Sequence, residues 1–403
     1  MRTRVAIIGA GPAGLLLSQL LHDRGIDAVL LEARDRAYCE GRQRAGMLEQ
    51  ATVDVLREAG AADRLDREGL VHHGIHLRFA GRDRHIDFPS RTGGRSVTVY
   101  GQTEIVKDLI AKRIAEGARM YFDAPVTTIE GIDGDAPRVR FLRDGVEEVL
   151  ECDLVAGCDG FHGVSRGAIP ADVLKIHERV HPFAWLGILA DVAPSTDDLI
   201  YAYSERGFAL HSMRSRAVSR LYLQVDPDAD LADWPDERIW AELRERLALP
   251  GWTLDEGPIR ERSITPMRSF VAEPMSFGRL FLAGDAAHIV PPTGAKGLNL
   301  AMADVRVLAR ACGEFFLAGS RAGLDGYSDA CLRRVWRAEQ FSYWMTTLLH
   351  AREDADAFER RCQEAQLAYL ADSDAAMATL AENYVGYTWA DRPRSRPDVE
   401  VDR

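Results

Sequence analysis

Three glycines near the start of the chain have the spacing of a dinucleotide-binding loop. Gly9, Gly11 and Gly14 form a G-x-G-x-x-G motif between an apolar run at residues 5–8 and a helix-like segment. The first glycine permits a tight turn, the second lets the backbone approach a pyrophosphate, and the third lets the helix pack on the strand. Glu32 follows a second apolar run, where a carboxylate can accept hydrogen bonds from ribose hydroxyls. The sequence therefore predicts a dinucleotide site at a helix N-terminus.

A second segment with the same strand–loop–helix pattern lies far along the chain. The sequence RLFLAG at 279–284 predicts a strand, and Asp285 follows its end. A loop rich in proline and glycine then leads into a helix predicted from about Leu298. A carboxylate in such a loop can bind ribose or ribityl hydroxyls, and the helix N-terminus faces whatever occupies the loop. Two such elements indicate one large cofactor that spans both.

Polar side chains between these two elements are candidates for cofactor contacts. Arg42 and Arg44 follow Glu32 in a polar loop, and guanidinium groups can bind phosphate oxygens in a bidentate way. The alternative for both is a solvated basic loop. Gln102, near the start of a helix predicted over 102–116, can donate its amide to phosphate. Asp159 follows a predicted strand, as a cofactor-contacting residue would, although this spacing alone is not specific.

A predicted hairpin concentrates polar side chains on one face. Residues 208–214 and 219–225 read as antiparallel strands joined by a turn near Ala217. The two-residue period of strands then places their even-numbered side chains together. The polar and aromatic members of this face are Ser212, Arg214, Arg220 and Tyr222.

The expected register sets Arg214 opposite Arg220 and Ser212 opposite Tyr222. A guanidinium fork, a hydroxyl donor and an aromatic wall are the groups that a site for a small carboxylate needs. The alternative is a solvated outer face of a sheet. Tyr201, on the preceding strand, is a candidate phenol donor.

Composition excludes several classes of protein. The 403 residues, 46% of them apolar, suit one very large domain or two closely packed ones. A net charge of −12 argues against nucleic acid as a partner. No uninterrupted apolar run reaches the length of a membrane span. The six cysteines form no C-x-x-C pair, which favours free thiols in a reducing cytosol over disulfides or a metal site. We therefore expect a cytoplasmic protein.

Several longer motifs give the chain a specific resemblance. They are GAGPAG at 9–14 with Glu32, GRQRAG at 41–46, VTVYGQTE at 97–104, GCDGFHG at 157–163, RGFAL at 206–210, HIVPPTGAKGLNLA at 288–301 and AENYVG at 381–386. On these motifs the chain resembles the FAD-dependent aromatic hydroxylases, the single-component (class A) flavoprotein monooxygenases. The resemblance covers almost the whole chain.

The resemblance and the pattern of elements together imply a mixed α/β (α+β) fold. It combines a Rossmann-like FAD-binding domain with a βαβ N-terminus, an inserted antiparallel β-sheet for the substrate, and a C-terminal helical layer. The expected parts are FAD binding at 1–175, with substrate-side strands at 70–100, the substrate sheet at 176–270, a second FAD-binding part at 271–320, a helical or interface region at 321–390 and a disordered tail at 391–403.

The resemblance also implies a role for individual residues around the cofactor. Glu32 would bind the adenosine ribose, Asp285 the ribityl chain, and Arg220 would help to position the flavin. The pyrophosphate would meet Arg42, Arg44 and Gln102, and the flavin ring Leu298 and Asn299. The full set of implied cofactor contacts is Gly9, Gly11, Ala13, Gly14, Glu32, Arg42, Arg44, Ala45, Gly46, Met47, Gln102, Asp159, Arg220, Asp285, Leu298 and Asn299.

For the substrate, the resemblance implies a carboxylate bound by Arg214 and a proton path from the substrate phenol to solvent. The path would consist of Tyr201, Tyr384 and His72, the residues implied as catalytic. The implied substrate contacts are Tyr201, Ser212, Met213, Arg214, Tyr222 and the carbonyl of Pro292. His211 and Met213 flank the carboxylate-binding pair at odd-numbered positions, so we expect them to point away from the ligand and to affect substrate choice little.

The activity implied is hydroxylation of 4-hydroxybenzoate at the 3-position, giving 3,4-dihydroxybenzoate. NAD(P)H and O₂ would be the co-substrates, and the oxygen would come from a flavin C4a-hydroperoxide. Nicotinamide-cofactor contacts would involve Arg34, Tyr38, His162 and Arg268. Ala33 stands where an arginine is common in NADPH-preferring relatives, so the preference between NADH and NADPH stays open, with use of both favoured.

Two alternatives remain at this point. One is a hydroxylase of a related benzoate, such as 3-hydroxybenzoate or an aminobenzoate. The other is a non-catalytic sensor of aromatic acids on the same fold. A homodimer is expected from the resemblance and from the aromatic C-terminal helices.

Overall fold

The structure is a computed structural model that describes residues 1–42 and 46–386. The predicted cofactor contacts Arg44 and Ala45 lie outside the described residues, as does the predicted disordered tail at 391–403.

The strands are short in the nucleotide-binding region and long in the substrate region. They are β1 (Val5–Ile8), β2 (Ala28–Leu31), β3 (Met47–Glu49), β4 (Leu70–His72), β5 (Gly74–Phe79), β6 (Arg82–Asp87), β7 (Val97–Val99), β8 (Arg119–Tyr121), β9 (Val126–Glu130), β10 (Arg138–Arg143), β11 (Val146–Glu151), β12 (Leu154–Gly157), β13 (Lys175–Ala190), β14 (Leu199–Ala202), β15 (Ala209–Ser215), β16 (Val218–Val225), β17 (Ile259–Glu273), β18 (Ser276–Phe277), β19 (Leu280–Leu282) and β20 (His288–Ile289).

The helices range from a single turn to 23 residues. They are α1 (Pro12–Asp23), α2 (Arg36–Gly41), α3 (Gln50–Glu58), α4 (Asp63–Glu68), α5 (Pro89–Thr92), α6 (Gln102–Ala115), α7 (Asp236–Arg246), α8 (Gly297–Ala318), α9 (Ala322–Asp325), α10 (Tyr327–Leu349), α11 (Ala357–Asp372) and α12 (Asp374–Tyr384). Among the described residues, none of these helices combines the length and the apolar character needed to cross a membrane.

A six-stranded sheet brings the two predicted nucleotide elements together. Its order is β18-β19-β12-β1-β2-β8, and β19, β12, β1, β2 and β8 run parallel. The carboxyl ends of parallel strands meet at one edge, where ligands of such folds bind. The glycine loop follows β1 and Asp285 follows β19, so both stand at this edge. The predicted fold class is therefore confirmed.

An eight-stranded sheet forms the second layer, in the order β20-β17-β13-β16-β15-β14-β5-β6. Its pairs are antiparallel except for β14 with β5. Side chains alternate between two apolar clusters. The inner face carries Tyr201 and Leu210 and packs against the C-terminal helices. The outer face carries Ile200 and Ala209 and packs against Trp240 of α7.

The register expected for the 208–225 hairpin is wrong by two residues. Leu210 stands opposite Tyr222, and Ser212 opposite Arg220, because the chain turns at residues 216–217 and a bulge lies between Met213 and Ser215. A bulge adds one extra residue to a strand, and here the extra residue is at position 214, between Met213 and Ser215. A shift of two preserves alternation before the bulge, so Ser212, Arg220 and Tyr222 share one face of the sheet as predicted.

One helix also begins later than expected. The spacing of apolar residues predicts a helix from Leu48, but Met47–Glu49 pairs with Val97–Val99 as a strand, and α3 starts only at Gln50. Pairing between distant segments has overridden the local helical pattern. This strand carries Met47 into the site.

Candidate active site

The glycine loop after β1 has two closely packed glycines and one, Gly11, that borders open space where a pyrophosphate would fit. Gly9 has φ +103°, and a Cβ there would overlap the Cys158 carbonyl. A Cβ at Gly14 would overlap the Gly9 carbonyl, which shows how closely α1 packs on the strand. Around Gly11, by contrast, no described atom lies within 4 Å of the Cβ position. Free N–H groups at the start of α1 face this open space.

Glu32 is held beside the loop by backbone donors. Its Oε2 accepts the Ala10 N–H at 2.6 Å, and its Oε1 accepts the Arg34 N–H at 2.8 Å. A carboxylate has about four acceptor positions. About two therefore stay available for ribose hydroxyls, and the side chain is only half-buried.

The second nucleotide element is oriented by a buried ion pair. His288 Nε2 lies 2.6 Å from Asp304 Oδ2, and the same oxygen accepts the Gly284 N–H at 3.1 Å. The Asp304 carboxylate raises the pKa of His288 above its ordinary value, against the effect of burial. The turn at Gly284, with φ +64°, leaves the next residue, Asp285, exposed at the sheet edge. An exposed carboxylate at this edge suits ribityl hydroxyls.

The loop after β12 uses Asp159 to fix its own shape. Asp159 Oδ2 accepts the N–H and the hydroxyl of Ser165, each at 2.9 Å. Burial raises the pKa of this carboxyl. Arg166 then links the loop to the second element, since it donates to the carbonyls of Phe161 at 2.7 Å and Ala286 at 3.0 Å. Asp159 and Arg166 thus fix the conformation of the loop that follows β12.

Asn299 joins three segments at the start of α8. Its amide donates to the Met47 and Ala295 carbonyls, and its Oδ1 accepts from the Glu49 N–H and the Thr52 hydroxyl. The four partners occupy the whole side chain, so it fixes the position of the adjoining backbone. Leu298, half-buried at the same helix start, packs against the core of the nucleotide-binding layer.

At the start of α6, Gln102, which is predicted to contact the cofactor, lies near Arg214, which is predicted to bind the substrate. Gln102 is the first residue of α6, and the Thr103 hydroxyl donates to the Arg42 carbonyl at 2.8 Å. At Gly101 a Cβ would overlap the Arg214 guanidinium, which would then have to move aside. The structure therefore places Arg214 directly beside the N-terminus of α6. Gly46 lies against the same segment, where a Cβ would meet the Tyr100 carbonyl.

Two guanidinium groups create positive potential near the inner face. Burial, and then the neighbouring Arg220, lower the pKa of Arg214. The Arg220 guanidinium also lies 5.4 Å from the Tyr222 ring centroid. The Ser212 hydroxyl donates to the Arg220 carbonyl at 2.9 Å, so it must rotate to donate to a ligand. Two half-buried guanidinium groups favour a bound anion.

Tyr201 and Tyr384 form a hydrogen-bonded pair in the core. Their hydroxyl oxygens are 2.7 Å apart, and the Tyr201 hydroxyl also donates to the Thr293 carbonyl at 3.1 Å. The Tyr384 hydroxyl oxygen also lies 3.3 Å from Met47 Sδ, so the two hydroxyl protons have three possible acceptors: the partner tyrosine, the Thr293 carbonyl and this sulfur. Burial raises the pKa of both phenols, so both stay protonated. Each hydroxyl can accept one proton while it donates another.

His72, the third residue of the predicted proton path, has a different neighbour. It is buried, and its Nδ1 lies 3.5 Å from Asp198 Oδ1. Within the described residues no hydrogen bond joins it to Tyr384. The predicted substrate contact at Pro292 also has a different partner, because its carbonyl accepts the Ala295 N–H at 2.9 Å. The carbonyl that contacts Tyr201 is that of Thr293.

Comparison with known proteins decides the family. A family model described as "FAD binding domain" matches residues 2–342. The chain is 51% identical over 387 residues to p-hydroxybenzoate hydroxylase of Acinetobacter baylyi, which covers 96% of each protein. The chain belongs to the class A FAD-dependent aromatic hydroxylases. It is a flavin monooxygenase, with FAD as its cofactor and NAD(P)H and O₂ as co-substrates.

More distant matches include other monooxygenases. The chain is 27% identical to 3-amino-4-hydroxybenzoate 2-monooxygenase of Streptomyces cremeus, over 76% of this chain and 77% of the relative. The solved structure of p-nitrophenol 4-monooxygenase from Pseudomonas putida superimposes with a TM-score of 0.82 at 20% identity, over 96% of this chain and 99% of that one. This last likeness concerns the fold alone.

The four residues predicted to contact the nicotinamide cofactor form two separate pairs in this aromatic hydroxylase. His162 and Arg268 both contact the Phe161 ring, at 4.9 Å between ring centroids and 4.6 Å from guanidinium carbon to centroid. Arg34 lies 5.3 Å from the Tyr38 ring centroid on the exposed start of α2. Asp35, which caps α2 by accepting the Tyr38 N–H at 2.7 Å, adds negative charge there.

A cleft of about 910 Å³ lies away from this site in the aromatic hydroxylase. Its lining includes Arg78, Tyr203, Arg246 and Trp252, and none of the predicted cofactor or substrate residues. We therefore place the active site by its polar groups.

Sequence reasoning missed several residues that support the site of the aromatic hydroxylase. Lys296 is buried and donates to Glu49 Oε1 at 2.6 Å and to the Tyr384 carbonyl at 2.8 Å, which ties α12 to β3. Beneath Tyr201 and Tyr222 lies an aromatic stack that consists of Trp185, Phe208 and His350. Only the tertiary structure brings these residues together, so no local pattern could have identified them.

Proposed function

We propose that this flavin monooxygenase hydroxylates 4-hydroxybenzoate at the 3-position to give 3,4-dihydroxybenzoate. The observation that carries the proposal is the Tyr201–Tyr384 hydrogen bond on the sheet face that also bears Ser212 and Tyr222, near the Arg214 guanidinium. A ligand with a carboxylate at one end and a phenol at the other matches this arrangement. The 51% identity to a p-hydroxybenzoate hydroxylase supports the same substrate.

The described residues fit FAD. The open space at Gly11, the start of α1 and the two free acceptor positions of Glu32 suit the pyrophosphate and the adenosine ribose. Asp285 and the backbone at Leu298 and Asn299 would hold the ribityl chain and the ring. FAD, when bound, supplies the activation of O₂, which the protein's own side chains do not provide.

The protein's residues would bind and orient the substrate carboxylate. Arg214 presents a planar guanidinium that can form two parallel hydrogen bonds with it. Arg220 adds positive potential, and the Ser212 hydroxyl can turn from the Arg220 carbonyl toward the ligand. Tyr222, backed by Trp185 at 4.8 Å between ring centroids, would form the aromatic wall. Met213 and Pro292 would contribute through the backbone around the ring.

The tyrosine pair would remove the phenol proton. Attack by an oxygen electrophile requires an electron-rich carbon, and loss of the phenol proton enriches the ortho position. Both tyrosine phenols stay neutral, so they act as a relay and not as a base. Tyr201 can accept the substrate proton as it passes its own to Tyr384. His72 would receive it at the outer end of the path.

Further features of the enzyme belong to the same proposal. We infer a cytoplasmic homodimer that uses both NADH and NADPH through Arg34, Tyr38, His162 and Arg268. We also infer the division into 1–175, 176–270, 271–320 and 321–390. Support for this division comes from the six-stranded sheet, in which β18 and β19 complete the sheet formed by the first part, and from β5 and β6, which join the substrate sheet.

The test is NAD(P)H oxidation by the FAD-loaded protein with and without 4-hydroxybenzoate, with the aromatic product followed by chromatography. We expect strong stimulation and 3,4-dihydroxybenzoate in near-equal amount to the NAD(P)H consumed. Stimulation without product would refute the substrate and direct the search to related benzoates, including aminobenzoates. Stoichiometric binding with no NAD(P)H consumption would instead favour a sensor.

A further inference from the structure

Three side chains with metal-binding chemistry converge on the outer face of the eight-stranded sheet. His76 of β5 stands directly opposite His85 of β6, and Asp198 immediately precedes β14, the other neighbour of β5. All three share the face that carries Ile200, because their positions alternate with those of Leu77 and Tyr201. One potential ligand atom from each residue lies within 4.8 Å of the others. The sheet register therefore brings the three side chains together.

We propose that His76, His85 and Asp198 bind one divalent transition-metal ion of the zinc class. Two imidazoles and one carboxylate are a ligand set that zinc accepts. His85 Nε2 and Asp198 Oδ2 are already 2.9 Å apart. Bonds of about 2.0–2.1 Å in a tetrahedral site place two ligands about 3.3 Å apart. Binding would therefore widen this pair slightly and draw the third ligand inward from within 4.8 Å.

Neighbouring side chains contact these ligands in the way that residues next to the ligands do in metal sites. Asp83 Oδ2 lies 2.9 Å from His76 Nδ1, which leaves Nε2 as the nitrogen for a metal. Histidine ligands usually donate their second ring N–H to a carboxylate in this manner. The other oxygen of Asp198 is directed at His72 Nδ1, 3.5 Å away. Asp83 and His72 therefore orient His76 and Asp198, respectively.

Space and access at the cluster also suit an ion. A Cβ at residue 74 would overlap both His85 Nε2 and the Ile86 carbonyl, so Gly74 makes room for the ring. The imidazole rings of His76 and His85 have centroids 4.8 Å apart and are tilted by 50°, so they are not stacked face to face. Their side chains are 24% and 38% exposed, which leaves a path from solvent. Three protein ligands leave the fourth position to water.

The site is tested with Zn²⁺ on the full-length, FAD-loaded protein. The background carries Cys362→Ser, because Cys362 is an exposed free thiol that would bind zinc on its own. Isothermal titration calorimetry is expected to show one Zn²⁺ per chain. His76→Gln and His85→Gln should each weaken that binding by at least about 100-fold, and Asp83→Asn by about 10- to 100-fold through loss of the outer-shell contact.

A matched control separates a metal site from a simple histidine–carboxylate pair. His177 is exposed, and its Nε2 lies 3.5 Å from Glu273 Oε2. His177→Gln should leave zinc affinity unchanged, and a normal FAD absorption spectrum will show that each variant is folded. The proposal is overturned if the background protein binds no Zn²⁺ at millimolar concentration. It is also overturned if both His76→Gln and His85→Gln keep the affinity of the background protein.

Discussion

The glycine loop and the tyrosine pair hold polar groups in place by different means. The loop and Glu32 lie within one βαβ unit, and the hydrogen bond from Ala10 to Glu32 spans 22 residues. The Tyr201–Tyr384 bond spans 183 residues and depends on a sheet and a C-terminal helix meeting correctly. The cofactor edge is thus specified locally, whereas the proton relay is specified only by the assembled fold.

This difference predicts how each region fails. A change in the loop acts on backbone packing, because the loop's neighbours are carbonyl groups that cannot move aside. A change in the tyrosine pair removes one hydroxyl from a packed aromatic environment and leaves the rings' contacts in place. Variants at the closely packed glycines, Gly9 and Gly14, should therefore lose stability and cofactor together, and relay variants should lose chemistry alone.

The largest effect is expected for Gly14→Val. Its side chain would overlap the Gly9 carbonyl, so the free energy of unfolding should fall by about 3 kcal/mol, and FAD should no longer bind. Gly11→Ala is the matched control, since its Cβ position is open. In the apoprotein it should change stability by less than about 0.5 kcal/mol. Thermal unfolding of the apoproteins, with FAD titration, checks both. Equal destabilisation by the two variants would contradict the account.

Tyr384→Phe should reduce coupled hydroxylation by about 100-fold, because proton transfer by a positioned group typically contributes at least that much. The ring and its stacking on Phe88, at 5.0 Å between centroids, would be retained. NAD(P)H oxidation should continue and produce hydrogen peroxide, measured by peroxide assay beside chromatography. Tyr327→Phe is the control, because its buried hydroxyl also donates to a carbonyl, that of Leu282, far from the relay. It should keep normal coupling.

Arg214→Lys should weaken 4-hydroxybenzoate binding by about 30-fold, or about 2 kcal/mol. An ammonium group acts as a point charge and cannot reproduce the paired hydrogen bonds of a guanidinium. Arg216→Lys, an exposed arginine on the same hairpin, should leave affinity unchanged. Flavin absorbance titration measures both. Unaltered affinity in the Arg214 variant would remove this residue from the carboxylate site.

The smallest effect concerns the nicotinamide cofactor. Arg34→Ala should raise the KM for NADPH by about 10-fold, or about 1.4 kcal/mol, and leave the KM for NADH nearly unchanged, because only NADPH carries a 2′-phosphate. Arg36→Ala is the control, because Arg36 Nε is already paired with Glu40 Oε1, 2.7 Å away. Steady-state kinetics with both nucleotides give the comparison. A parallel rise in both KM values would show a general effect on α2.

Sequence patterns predicted the local part of the site well and the assembled part less well. The glycine spacing, Glu32 and the strand before Asp285 required only short-range periodicity, and the structure has each where it was expected. The hairpin register was wrong because neither the exact position of the turn, at residues 216–217, nor the bulge at position 214 can be seen in an alternating pattern. The contact of Asp198 with His72, and those of Lys296 and Thr293 with the tyrosine pair, join segments distant in sequence, so no local pattern contains them.

The central claim is that the tyrosine pair takes the phenol proton of the bound substrate. It is tested most directly by the absorbance of bound 4-hydroxybenzoate as a function of pH, in the wild-type enzyme and in Tyr201→Phe. A free phenol titrates near pH 10. The account predicts phenolate at a clearly lower pH in the wild-type complex and a return toward the free value in the variant. Identical titration curves for the two proteins would contradict it.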